Sequence, residues 1–433
     1  MKIVLLFLLC CKLSSQLNKD DTEKLLQWGV SKKIQFHPYI TLKPSSKQHP
    51  FPYFSVNGYV STNDTVITVP ASMILNVDKI IKNGKNKKLK KIYEQINNCT
   101  NEYIQYNSTK EMVFVALVVY QYKQLLNKNS TIYKRFKNYF HIYKDTSFDN
   151  FPLFYNEDEL SFYHQTNFDV NIRTAKSTLE EEVSIIENEL NIMKILPDEY
   201  LKYRLMILSN TLLINNTLHY IPFVECFPKS HIHANAKWMY NNKTDSFEII
   251  ALRNIKKDEK IILQNRPLSN AMMLVYYGYT EEYNNLIPNY FIDMINNLFR
   301  DDLKLSEYIN VDDLPVFDIS KETFEKDAFE AYHQLAIKLP SYNMYPKSGG
   351  YRLMKDNLEY HNAIYSKYTP GELNKNLYSE IKVKDAKRIL DLERDLIVHK
   401  INNLNKLIQE IESEKSEEVK EEEEKLINEN EEL

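Results

Sequence analysis

The chain has 433 residues, 43% of them hydrophobic and 26% charged, with a formal net charge of −4. That apolar share supports two or three buried cores and excludes a disordered chain. Only 7 glycines are present, and neither a G-x-G-x-x-G nor a Walker sequence occurs, which excludes a phosphate-cradling loop, because such loops need backbone lying close to the ligand.

Met1-Lys2, the apolar run Ile3 to Leu9, Cys10-Cys11 and the small or polar Ser14-Ser15-Gln16 have the charged start, short apolar core and small-residue exit of a secretory signal peptide over residues 1–15. Its removal would leave Cys99 and Cys226, which an oxidising compartment allows to pair and which serve equally well as two separate buried thiols. The longest later apolar run, Met112 to Tyr120, falls short of the roughly 20 residues that span a bilayer. The expectation is a luminal or secreted mature protein with no transmembrane segment.

Lys110 to Leu126 carries apolar residues on nearly every face and predicts a central helix packed on several sides. A Tyr/Phe-rich stretch follows, Ser130 to His164, and then two helical patterns, Glu181 to Ile192 and Pro197 to Leu213. Ile221 to Glu225 opens apolar and gives way to a polar loop. Two β-like runs come next, Ala236 to Tyr240 and Phe247 to Leu252, separated by the turn Asn241-Asn242-Lys243-Thr244-Asp245. A short strand Ile261 to Leu263 leads to the helix-like run Ser269 to Tyr277, closed by Gly278.

After Tyr279 helical periodicity recurs over Asn285 to Leu298, Lys321 to Lys338, Leu353 to Tyr368 and Leu377 to Ile411, interrupted by Pro315, Pro340, Pro346 and Pro370. Glu410 to Leu433 holds 12 Glu against 3 Lys, which leaves a net charge of +5 on the remainder. Such a block reads as a solvated helix extension or a tail, or as an acidic arm that docks a basic partner. Sequons at Asn63, Asn98, Asn107, Asn129, Asn215 and Asn242 are no more than an Asn-rich composition yields by chance.

The order of pieces from Ile221 to Tyr279 resembles the C-terminal half of a SET domain of the Rubisco large-subunit methyltransferase class, which reads P-hydrophobic-x-D-x-x-N-H-S, I-x-x-G-E, S-Y-G-x-x-S-N and Y-G-F. Leu25-Leu26-Gln27-Trp28-Gly29 resembles the family's first helix, whose Trp packs under the sheet. Phe54 to Ser61, leading to Val66-Ile67-Thr68-Val69-Pro70, resembles its glycine turn and following strand. The resemblance implies an α+β fold: a SET-like domain over residues 16–283 with a helical insert at about 110–213, an all-helical C-terminal lobe of the substrate-binding type over 284–409, and the acidic tail 410–433.

The departures from the family fall on its chemistry. Pro228-Lys229 stands where an Asn-His pair grips S-adenosylmethionine; proline has no backbone donor and lysine is not an acceptor. Gln264-Asn265-Arg266 stands where the family has Ser-Tyr-Gly, and Asn210 where it has an arginine near the cofactor's carboxylate. Asn57-Gly58 keeps one glycine of the cofactor turn. Pro267, Ser269, Asn270, Tyr277 and Gly278 are retained. The expectation is a pseudo-methyltransferase with no catalytic, cofactor-binding or metal-binding residues and no cofactor, binding other proteins through its helical lobe and acidic tail and no nucleic acid.

The alternative is a working S-adenosylmethionine-dependent lysine methyltransferase in which Tyr277 supplies the hydroxyl. A second alternative is a luminal metal or small-ligand binder using the vestigial pocket; Cys226, Lys229, His231 and His233 lie close together in sequence, and His-x-His with a thiol suits zinc or copper, though no fourth ligand is apparent. The abundance of Asn, Lys, Ile and Tyr resembles the A+T-rich coding of malaria parasites, which with the export signal suggests the lumen of a parasitophorous vacuole.

Overall fold

The structure, a computed structural model, describes residues 18–46, 51–84, 87–104, 106–143, 148–164, 166–214, 217–284, 286–287, 319–320, 332–337, 339–345, 347–367 and 380–431. The signal-peptide segment lies outside these residues. So do most of the two helices expected at 285–298 and 321–338. The chain divides into two compact units. The first holds residues up to Asn156, Ile172–Arg266 and Leu274–Tyr279; the second holds Glu157–Asn171, Pro267–Met273 and the chain from Thr280 onward.

The first unit opens with α1 (Lys19–Ser31), whose N-terminus is capped by Asn18 Oδ1 accepting from the Asp21 amide at 3.0 Å. Leu25 and Trp28, one turn apart, are buried, and Trp28 lies against the rings of Phe136, Tyr139 and Phe223. The main sheet has six strands in the order β1-β4-β9-β8-β10-β7. These are β1 (Gln35–Phe36), β4 (Thr65–Pro70), β7 (Lys229–Ser230), β8 (Ala236–Asn241), β9 (Ser246–Ala251) and β10 (Leu263–Gln264).

Strands β8 and β9 form the expected hairpin, in register from Ala236 opposite Ala251 to Asn241 opposite Ser246. Asp245 supplies the left-handed residue (φ 48°) that the turn needs, and Asn241 Oδ1 accepts from the Lys243 amide. The pairings of β10 with β8 and with β7 are parallel and join segments separated by long connections. They bring the loop after Ile221 to one edge of the sheet. A second hairpin pairs β2 (Ile40–Lys43) with β3 (Tyr53–Val56).

The helices of this unit include α2 (Val77–Gly84), α3 (Lys87–Asn97), α4 (Asn107–Tyr120), the short α5 (Tyr122–Leu125) and α6 (Thr131–Ile142). In α4 the whole run Val113 to Val119 is buried, as expected of a helix that is apolar all round. After the short α7 (Glu157–Leu160) of the second unit, α8 (Asn167–Ser184) starts well before the expected Glu181 and runs into a π-helical turn over Ile185–Glu189. Helix α9 (Pro197–Asn210) stops at Asn210 instead of Leu213. Thr211–Ile214 form β5, paired with β6 (Thr217–Tyr220), because the β-branched Thr211 and Ile214 find ladder partners there.

The second unit is mainly helical. Helix α10 (Asn270–Tyr277) straddles the two units by sequence. Leu286–Ile287, expected to open a helix, form β11 against β12 (Ile319–Ser320). Next come the short α11 (Pro340–Asn343), then α12 (Gly349–Tyr365), α13 (Glu380–Lys387) and α14 (Glu393–Glu431). Leu353, Met354, Leu358 and Tyr365 of α12 are buried, as are Ile397, Ile401, Leu404 and Ile408 of α14, the latter at one-face helical spacing. Arg352 Nε donates to Glu412 Oε1 at 3.1 Å, and the Tyr365 hydroxyl donates to the buried Glu393 at 2.8 Å. The acidic segment from Glu410 continues α14 as helix to Glu431.

Candidate functional site

The segment Ile221 to Ser230 is folded inward by one unusual residue. Phe223 has φ 72°, a left-handed conformation that is strained for a bulky side chain and persists only where packing over-determines it. The packing is aromatic: Phe223 meets the rings of Trp28, Phe36, Phe54 and Tyr139. Directly after it, Val224–Cys226 make a 3₁₀ turn. The turn sends the Glu225 and Cys226 side chains into the interior and leaves the Val224 and Phe227 carbonyls facing the same side as Lys229.

Glu225 is the polar centre of the interior. Its Oε1 accepts hydrogen bonds from the Tyr139 hydroxyl at 2.5 Å and from the Tyr143 hydroxyl. These two tyrosines are four residues apart at the C-terminal end of α6 and share one face. The Glu225 amide donates to Asn210 Oδ1 at 2.9 Å. Glu225 Oε2 and Asn210 Nδ2, both buried, have no hydrogen-bond partner among the described residues. Burial pushes the Glu225 carboxyl up, with the two tyrosine hydrogen bonds pulling it back down. Burial and the Glu225 charge hold the Tyr139 hydroxyl well above the ordinary tyrosine range.

Cys226 packs with its sulfur 3.7 Å from the Tyr143 hydroxyl. Burial and the adjacent Glu225 charge push its thiol well up, the opposite of what a reactive thiolate needs. Cys99 and Cys226 are both buried free thiols. Of the two readings the sequence allowed, the structure thus has the separate thiols. Ser230 Oγ accepts from the Ile232 and His233 amides at 3.1 and 2.7 Å and fixes the turn that carries His231 and His233. Burial lowers the pKa of His231. Among the described residues, no three His, Cys, Asp or Glu side chains converge as a metal site would require.

Lys229 is 7% exposed. Its Nζ donates to the main-chain oxygens of Val224 at 2.9 Å and Phe227 at 3.1 Å and lies 5.4 Å from the centroid of the Tyr277 ring. The Tyr279 hydroxyl clamps the Lys229 backbone, accepting from its amide at 2.5 Å and donating to its carbonyl at 2.9 Å. Burial draws the Lys229 ammonium down to about 8, against the raising effect of Glu225. Tyr277 stacks on Tyr279 at 6.2 Å, and burial pushes its hydroxyl up to about 12. Lys229, Tyr277, Glu225, Ser209, Phe51 and Tyr53 line a cleft with about 20 Å³ of free space, room for about one water molecule.

The other positions that the resemblance singles out, departed from or retained, have local hydrogen-bonding or packing roles. Asn210 is spent on the Glu225 amide. The Asn265 main-chain N–H donates to the Ser230 carbonyl at 3.0 Å. Gly58 is required by a neighbour, since a Cβ there would come within 2.9 Å of the Tyr39 ring. Gly278 has φ +74°, and a Cβ there would meet Phe151 Cε2 at 3.0 Å. Sequence reasoning missed the Tyr139–Glu225–Tyr143 triad and treated Lys229 as a lost acceptor and a neighbour of Cys226, His231 and His233, not as a buried cation. The signal available for the triad was the i, i+4 tyrosine pair within the aromatic stretch.

No family model and no curated protein matches the chain. Solved structures do match. A crystal structure of the SET domain of LSMT bound to lysine and AdoHcy superposes with a TM-score of 0.58 at 13% identity, covering 91% of this chain and 92% of that one. The same domain bound to methyllysine and AdoHcy gives 0.59 at 14%, with 91% and 93% covered. Rubisco LSMT bound to AdoMet gives 0.59 at 13%, with the same coverage.

The fold is SET-like. It is α+β, with a curled sheet and a helical C-terminal part, as the sequence pattern led us to expect. Pro228 offers no amide proton, and the nearby carbonyls of Val224 and Phe227 hold the Lys229 ammonium.

Proposed function

We propose that the chain is a catalytically inactive SET-like protein whose work is to bind other proteins. The observation that supports this most is Lys229. A buried cation, held by two carbonyls and an aromatic face, stands in the segment that resembles the cofactor grip, and the cleft around it has little room left. Asn210 and Asn265 add to the reading, since neither can supply the charge or the phenol that the resemblance calls for at its position. Binding needs no cofactor, so a protein-gripping lobe can outlast methyl transfer.

The partner surface in this reading is the helical C-terminal part with its acidic helix end, in a protein that works in a secretory or parasitophorous-vacuole lumen. Capture of basic partners by the Glu-rich segment should weaken with salt, because exposed charge is screened over roughly 8 Å at physiological ionic strength. Two measurements test the proposal together: pull-down from intact cells with mass spectrometry, and incubation of the captured partners with methyl-labelled S-adenosylmethionine. The expectation is stable capture by the full chain, weaker capture by a chain ending at Ile408, and no label transferred. Label on a partner lysine, lost in Tyr277→Phe, would replace this reading with that of a working methyltransferase.

A further inference from the structure

The Lys229 ammonium is distinctive for what holds it. Among the described residues no carboxylate is hydrogen-bonded to it: it donates to two neutral carbonyls, Val224 O and Phe227 O, and faces the Tyr277 ring. Glu225, the nearest acid in sequence, has its Oε1 occupied by Tyr139 and Tyr143, and its Oε2 is without a partner among the described residues. Carbonyl acceptors for the N–H groups and a π face for the charge are the elements that recognise an alkylammonium. The acceptors are backbone atoms, fixed independently of Lys229. The 3₁₀ turn is closed by the Cys226 amide donating to Phe223 O at 3.0 Å, and it is anchored on the left-handed Phe223.

We propose that this is a binding cage for a primary alkylammonium, that the chain occupies it in cis with its own Lys229, and that a small free alkylammonium takes the place of that side chain once it is removed. The carbonyl pair and the ring stay in position when the lysine stem is cut away, and the orphaned Glu225 Oε2, lining the same cleft, supplies a counter-charge for an incoming cation. With Lys229 seated, the cage is closed to any other amine. This goes beyond the absence of methyl transfer and does not depend on it.

The test is chemical rescue. In Lys229→Ala the missing atoms are those of propylammonium, so thermal unfolding of the variant at neutral pH is followed against propylammonium chloride, with equal sodium chloride as reference. The expected result is a melting temperature below that of the wild type that climbs saturably with propylammonium. 1-Propanol, which lacks the charge, and tetramethylammonium, which lacks N–H donors, should fail to reproduce the climb, and the wild type should not respond. A flat response in the variant, or an equal one in the wild type, overturns the proposal.

If the variant does not fold, the wild type decides. Under reductive methylation with formaldehyde and cyanoborohydride, Lys229 should react roughly tenfold or more slowly than the exposed Lys237, because its ammonium is released only by local opening. Equal rates would show that the cage does not hold it.

Discussion

Lys229 makes stability depend on pH in a direction that can be worked out. Burial lowers its ammonium from 10.5 to about 8, whereas in the unfolded chain it titrates at its ordinary value. Below pH 8 both states carry the proton, and the folded state bears the full cost of a buried charge. Between pH 8 and 10.5 the unfolded chain binds more protons, so stability rises with pH. The stabilisation is complete above the unfolded value and is lost as pH falls through about 8. The interval between the two values corresponds to about 3 kcal/mol, as an order of magnitude.

Lys229→Met keeps the stem volume and removes the titration. Urea unfolding of both chains at pH 7.5, 8.5 and 9.5 isolates the effect, because tyrosines and exposed lysines contribute equally to each and cancel in the difference. The wild type should gain roughly 1–2 kcal/mol on the variant across that range. Parallel pH profiles would mean that the Lys229 ammonium is not buried as described, and the reasoning about the cleft would fail with it.

Gly278→Ala should lower the unfolding free energy by about 1–3 kcal/mol, read as a lower urea midpoint with the m-value unchanged, because φ +74° and the contact with Phe151 both oppose a Cβ. Tyr143→Phe should cost roughly 1.5–3 kcal/mol in the same assay, the range for a hydrogen bond to a buried charged acceptor. Asp385, held up at about 6 by burial, should make the wild type lose stability as pH rises from about 4 to 6. Asp385→Asn should flatten that limb, and a matching loss in the variant would refute the assignment. Trp28→Ala, which empties the aromatic nest around Phe223, should cost about 3–5 kcal/mol.

Where local pattern decides structure, the sequence was legible. The alternation in β8 and β9, with the Asn- and Asp-bearing turn between them, marked the hairpin, and the all-round apolar run in α4 marked the central helix. It failed where structure is settled by distant partners. Thr211–Ile214 continue a helical pattern and become a strand because β6 pairs with them. The two-residue strands β7 and β10 meet in parallel across a long connection, which leaves no periodic trace. In the site, the positions of Pro228-Lys229, Asn210 and Asn265 were readable as substitutions in a resembling motif. What they do instead was not, since Tyr139 and Tyr143 reach Glu225 from more than 80 residues away, and the cage for Lys229 is made of backbone carbonyls that any residue could provide.

The central claim, that the cleft no longer serves the cofactor that its structural neighbours bind, is tested most directly by isothermal titration of the full chain with S-adenosylmethionine at neutral pH. The account predicts no saturable heat, and no stabilisation of the kind a ligand at 100 times its dissociation constant confers, about 2.7 kcal/mol. A saturable isotherm with a dissociation constant in the micromolar range would contradict it.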